Sequence, residues 1–196
     1  DPLIDKVVEK KLNLKKITPD ILVNNSGGPP FGTYLDHGTE IWNKYFDQNL
    51  LSIIKLVSLL TKDMIANKWG RVINVTSTNA IEPSSEMVIS STLRSAVAAF
   101  SKSVSLTLAK SGVTINTICP GGVSTDRLIN LINIKAKTNK TSPDYELKNA
   151  EKSIPMGRFA TPDELASLAT FLCSSNADYL TGQVFPFDGG LVKGFK

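Results

Sequence analysis

Long hydrophobic runs, cysteine and clustered charge are all scarce in this sequence, and each scarcity removes a class of function. No run of about 18 apolar residues occurs, so no membrane-spanning helix is expected. The two cysteines, Cys119 and Cys173, lie far apart in apolar segments, which favours buried, reduced thiols over a disulfide and a cytoplasmic residence. No basic-then-apolar leader opens the chain, so no secretory signal is expected. The formal net charge is only +4, and the basic residues are scattered rather than clustered with aromatics. Neither nucleic acid nor membrane is expected as a partner, and no metal site is expected. There is no internal repeat and no low-complexity tract. No strand near the N-terminus runs into G-x-G-x-x-G, the turn that cradles a dinucleotide pyrophosphate.

What is present suits one domain: 196 residues, 41% of them hydrophobic, can bury a single sizeable core. The organising stretch runs from Arg71 to Phe100. Val72-Ile73-Asn74-Val75 is too continuously apolar for a half-solvated strand and reads as a central parallel strand covered on both faces. The polar turn Thr76-Ser77-Thr78-Asn79 follows it, then a helix of small residues that starts near Ser85 and runs on to Ala109. In open α/β sheets chemistry gathers at the C-terminal ends of strands, and Ser77 stands at such an end. Ser90 and Arg94, four residues apart, fall on one face of the helix.

Taken in order, Asp1-Pro2 reads as a cap and a first helical proline, with Leu3, Ile4, Val7, Val8 and Leu12 at helical spacing. Ile21 to Asn25 is a strand that ends in the turn Ser26-Gly27-Gly28-Pro29-Pro30. Thr39 reads as the N-cap of a long helix through Leu51, and Gly70 as its closing residue and the start of the central strand. Ser111-Gly112 stops the next helix, Val113 to Cys119 is a strand, and Pro120-Gly121-Gly122 ends it. Glycine there lets backbone approach a flat ligand closely. Residues 126–158 carry seven Lys or Arg against four Asp or Glu and read as a mobile lid rather than a packed element. Thr161-Pro162-Asp163-Glu164 is a capping box, and a last strand covers Gln183 to Phe187. Strand and helix alternate throughout, so the expected fold class is an α/β, Rossmann-like three-layer sandwich with a mainly parallel sheet, in a single domain over 1–196. Four strands are counted, and Ile21 to Asn25 is expected to form an apolar edge.

These segments resemble the short-chain dehydrogenase/reductase family. Asn24-Asn25-Ser26-Gly27 is similar to its Asn-Asn-Ala-Gly turn, Asn49 to its helix-bending, water-holding asparagine, and Ser77 to its substrate-binding serine. Pro120, Gly121 and Thr125 match its Pro-Gly turn and the threonine beside the nicotinamide. Where the family has Tyr-x-x-x-Lys, this chain has Ser90 and Arg94. The resemblance implies catalytic roles for Asn49, Ser77, Ser90 and Arg94 and cofactor binding by Asn25, Gly27, Pro120, Gly121 and Thr125. It implies NAD or NADP as cofactor, with the first strands and the adenosine-binding part having no counterpart in this sequence. It also implies a small carbonyl or alcohol substrate, as in the 3-oxoacyl-[acyl-carrier-protein] reductases, and a homodimer or homotetramer built through the helix carrying Ala96, Ala98 and Ala99.

A serine hydroxyl is a far weaker acid than a phenol, and an arginine with a pKa above about 12 does not shuttle protons. Tyr34, His37 and Tyr145 are the other candidates for the proton. The readings are therefore a divergent oxidoreductase, a catalytically inactive relative that binds or assembles, or an oxidoreductase part whose first strands lie elsewhere. Lys135, Lys137, Lys140, Lys148 and Lys152 would steer an anionic substrate.

Overall fold

The structure is a computed structural model and describes residues 18–194. The N-terminal helix expected around Leu3 to Leu12 lies outside the described residues. Four parallel strands form one sheet in the order β1 (Ile21–Asn25), β2 (Gly70–Val75), β3 (Val113–Pro120), β4 (Val184–Phe187). Between them run α1 (Thr39–Phe46), α2 (Ser52–Ala66), α3 (Val88–Leu108), α4 (Asp126–Asn139), α5 (Pro143–Lys152) and α6 (Pro162–Cys173).

Alternation along the strands divides the interior into two layers. Val72, Val113 and Ile115 pack against Ile53, Val57 and Met64 of α2 and Val97 and Leu108 of α3. Ile73, Val75 and Ile118 turn the other way, onto Leu172 of α6 and Ala177. The sheet is thus covered on both faces, which is why all six residues of β2 are buried. At β1 the second face is open among the described residues: Ile21 and Val23 are 45% and 50% exposed, as expected of an edge.

Four expectations are corrected in detail. Gly38, not Thr39, is the N-cap of α1, and it offers no side-chain bond. The long helix is interrupted by one π-helical turn, Asp47–Leu51, before continuing as α2. Its end is made by Lys68 in the left-handed region (φ 55°), while Gly70 is needed because the Met64 side chain fills the place of a Cβ. Residues 126–158 form two helices rather than an irregular lid. Ile132 and Ala136 of α4 and Glu146 of α5 are buried, and Glu146 accepts from Thr141 Oγ1 (2.7 Å) and Asn139 Nδ2 (3.0 Å) in the turn between them. The periodicity there was masked by lysines on the solvent face.

Gly112 (φ 70°) stops α3, as the sequence suggests. Cys119 is buried, Cys173 is half-buried, and neither is in a disulfide. No described helix is long and apolar enough to cross a membrane. At the start of α6 the capping box is complete: Thr161 Oγ1 accepts from Glu164 N (3.2 Å), and the Glu164 carboxylate accepts from Thr161 N (2.8 Å). Arg158 grips the same carboxylate with both terminal nitrogens (2.7 and 2.9 Å). Those donors, Arg158 first, pull the Glu164 pKa down to about 2. A depressed carboxylate stabilises the fold fully above its ordinary range and loses that contribution as pH falls from about 4.5 towards about 2. Acid unfolding followed by circular dichroism should therefore have a shallower limb between those values in Glu164→Gln than in the parent. Superimposable limbs would show that this clamp does not contribute.

Candidate active site at the C-terminal end of the sheet

Beneath the site, β1, β2 and α3 are tied by a buried chain of side chains. Asn24 Nδ2 donates to Asn74 Oδ1 (2.8 Å), Asn74 Nδ2 to Ser101 Oγ (2.8 Å), and Ser101 Oγ to Val97 O (2.7 Å). Polar groups at a sheet–helix junction cost little when each is bonded, and they fix the register of the elements that carry the site.

The turn after β1 is held on three successive carbonyls by three different elements. Ser26 O accepts from Arg94 Nη2 of α3 (3.1 Å), Gly27 O from Asn49 Nδ2 of the π turn (2.6 Å), and Gly28 O from Arg127 Nη1 of α4 (3.3 Å). Asn49 Nδ2 also reaches Ser26 Oγ at 2.8 Å. Serine in place of alanine at position 26 is thus a gain of one acceptor. The π turn is what points Asn49, fully buried, back at this loop; its Oδ1 has no partner among the described residues.

Arg94 is 5% exposed and pairs with no carboxylate among the described residues. Its other terminal nitrogen donates to Val75 O (3.0 Å), so the guanidinium bridges the ends of β1 and β2. Burial, and then the neighbouring positive charge of Arg127, push its pKa down to about 10, which still leaves it a cation at neutral pH. It is neither an ordinary surface arginine nor free to move. Ser90, one turn earlier, is buried at 4% exposure.

Ser77 caps the short 3-10 turn Thr78–Ala80, its Oγ accepting from Asn79 N at 3.2 Å. With the oxygen so engaged, the hydroxyl hydrogen is left to donate elsewhere. Asn25 ends β1 with an exposed side chain, and Pro120 ends β3. Gly121 N donates to Phe187 O at 2.9 Å, and Thr125 Oγ1 caps α4 by accepting from Leu128 N at 3.5 Å. The glycines after Pro120 are also closely packed within the chain. A Cβ on Gly121 would come 3.1 Å from Asp188, and one on Gly122 would enter the Phe159 ring. Packing within the chain demands them. Tyr34 and Tyr145 are 74% and 55% exposed, and His37 packs beside Gly32.

Ser26 stands out in the sequence only as part of the turn after β1, and Arg127 not at all. A signal existed for Arg127, since a cation in the first turn of a helix opposes the helix dipole and needs another reason to be there.

The family profile described as Enoyl-(Acyl carrier protein) reductase matches residues 4–192, nearly the whole chain. The chain belongs to the short-chain dehydrogenase/reductase family. It is 32% identical over 174 residues to the NADPH-dependent reductase BacG of Bacillus subtilis, covering 89% of this chain and 67% of that protein. It is 35% identical over 176 residues to the D-beta-hydroxybutyrate dehydrogenase of Cupriavidus necator, covering 88% of this chain and 67% of the relative. Among solved structures, YwfH, an NADPH-dependent reductase involved in bacilysin biosynthesis, superposes with a TM-score of 0.92 at 29% identity, covering all of this chain and 75% of that one. The chain thus spans about two-thirds of the length of these curated short-chain dehydrogenase/reductase relatives.

Cutting Asn49 back to alanine removes both donors to the turn and leaves Ser26 Oγ and Gly27 O without them. These acceptors are only part-buried, and a typical hydrogen bond contributes about 0.5–1.5 kcal/mol, so losing the two bonds in Asn49→Ala should lower unfolding stability in urea by about 1–2 kcal/mol and speed amide exchange at Gly27 and Gly28. A loss under about 0.5 kcal/mol, within the range of ordinary surface changes, would mean the turn holds without this clamp.

Proposed function

We propose that this chain forms the substrate-side part of an NAD(P)-dependent short-chain oxidoreductase that interconverts a small carbonyl compound and its alcohol, of the kind represented by 3-oxoacyl-carrier reductases. The observation that carries the reading is the bridge from Arg94 to Val75 O and Ser26 O, which holds the turn, the Ser77 strand end and the Ser90 helix in one rigid group. Asn25, Gly27, Pro120, Gly121 and Thr125 would hold the nicotinamide end of the cofactor. When bound, that cofactor supplies or accepts the hydride.

The residues of the chain do the rest. Ser77 donates its free hydroxyl hydrogen to the substrate oxygen and orients the carbonyl. Arg94, cationic and buried, places fixed positive charge under the developing alkoxide without giving up a proton. Ser90 contributes no acid of useful strength, so the proton on the alkoxide comes from water, and the buried Asn49 Oδ1 is an acceptor able to orient one. Losing a positioned phenol costs roughly 100-fold to 10,000-fold in rate, so turnover is slow relative to tyrosine-bearing relatives. The small side chains of α3, Ala96, Ala98 and Ala99, suit close approach of a second copy, and the assembled form is a homodimer or homotetramer.

The test pairs binding with turnover. NADPH or NADH should raise the melting temperature of the parent, and Ser90→Tyr combined with Arg94→Lys should raise ketone reduction by about 100-fold or more. Ser90→Tyr alone should gain less, because a phenol without the lysine keeps a pKa near 10. Cofactor binding with no gain in the double variant would mean that position 90 does not face the reacting carbonyl. The oxidoreductase reading would then give way to a binding role.

A further inference from the structure

Arg127 is an exposed guanidinium at the mouth of the candidate site, and the fold goes to some trouble to keep it there. It lies on Gly28: a Cβ at that position would come 2.5 Å from Nη2, so any side chain there would push the guanidinium away. Among the described residues it forms one hydrogen bond, from Nη1 to Gly28 O, which engages one of its five donors. The ion pairs among the described residues are Arg71–Asp178, Lys135–Glu146 and Arg158–Glu164, and none includes Arg127 or Arg94. Asp126, its neighbour in sequence, does not pair with it.

Two guanidiniums therefore grip alternate carbonyls of one turn, Ser26 O and Gly28 O, with no carboxylate paired to either among the described residues. They are close enough that the charge of Arg127 makes that of Arg94 harder to keep. Arg94 adds a buried Nε without a partner. Burying Arg94 costs desolvation that an anion settling against the pair would offset, and a planar fork of weakly hydrated donors is suited to a carboxylate or phosphate.

We infer that Arg127, resting on Gly28 and backed by Arg94, binds an oxyanion at the C-terminal end of the sheet. Under the proposed function, on which the choice of ligands rests, that oxyanion is the carboxylate of an oxo-acid substrate or a phosphate of the dinucleotide. Arg127 is then a residue that selects charged ligands over neutral ones.

Isothermal titration of the parent, Arg127→Gln and Arg127→Lys separates the two sources. The probes are 3-oxobutanoate, its neutral methyl ester, inorganic pyrophosphate and NADPH, each with and without the others. If the carboxylate is the ligand, Arg127→Gln weakens 3-oxobutanoate binding by about 10-fold to 100-fold and leaves the ester and NADPH unchanged, with Arg127→Lys intermediate. If a phosphate is the ligand, the same loss falls on pyrophosphate and NADPH and spares 3-oxobutanoate. Unchanged affinity for every probe, or no oxyanion bound by the parent at millimolar concentration, overturns the inference and leaves Arg127 a clamp on Gly28 O. NADPH binding by the parent is read independently. Its absence alongside a bound oxyanion would sink the oxidoreductase reading and spare this one, whereas NADPH bound with no oxyanion effect would do the reverse.

Discussion

Three neighbouring carbonyls, on Ser26, Gly27 and Gly28, are the point on which the site depends. Each accepts a hydrogen bond from a different element: α3 through Arg94, the π turn through Asn49, and α4 through Arg127. A loop that follows a strand would ordinarily be the least constrained part of such a fold. Here it is the part on which the helices converge, so its backbone moves only if several helices move too. The glycines are the condition for this, since Gly28 leaves room for a guanidinium to lie flat on the chain.

The price of that rigidity is electrostatic. Arg94 and Arg127 hold like charges near each other, and the buried one is held with its pKa lowered to about 10. A lysine in place of Arg94 could satisfy one carbonyl with its single ammonium, whereas the planar guanidinium spans Val75 O and Ser26 O together. Arg94 is thus a brace that ties the end of β1 to the end of β2.

Much of the scaffold was legible because strands buried on both faces must be continuously apolar. Val72 to Val75 and Val113 to Cys119 could hardly be read otherwise, and Thr161 with Glu164 announced α6 through chemistry local to four residues. The failures share a cause. α4 and α5 read as irregular because the segment is long, uneven and net basic, although Ile132 and Ala136 keep one face of α4 apolar and Glu146 is buried by local partners rather than by hydrophobicity. At Gly121 and Gly122 the structure adds neighbours that the sequence does not show, Asp188 67 residues on and Phe159 37 residues on. Contacts at that separation leave no local pattern.

Arg127 is the residue for which local and tertiary evidence disagree most usefully. By local rules it is misplaced, a cation in the first turn of α4 directly after Asp126, where the helix dipole favours negative charge. By tertiary contacts it is accounted for only in part, by one bond of 3.3 Å to Gly28 O. That bond is long for a neutral acceptor and engages one donor of five, so the rest of the exposed guanidinium is left to face outward. Breaks of a local rule gather at functional or strained sites, and this one stands beside Gly28 at the same end of the sheet as Ser77.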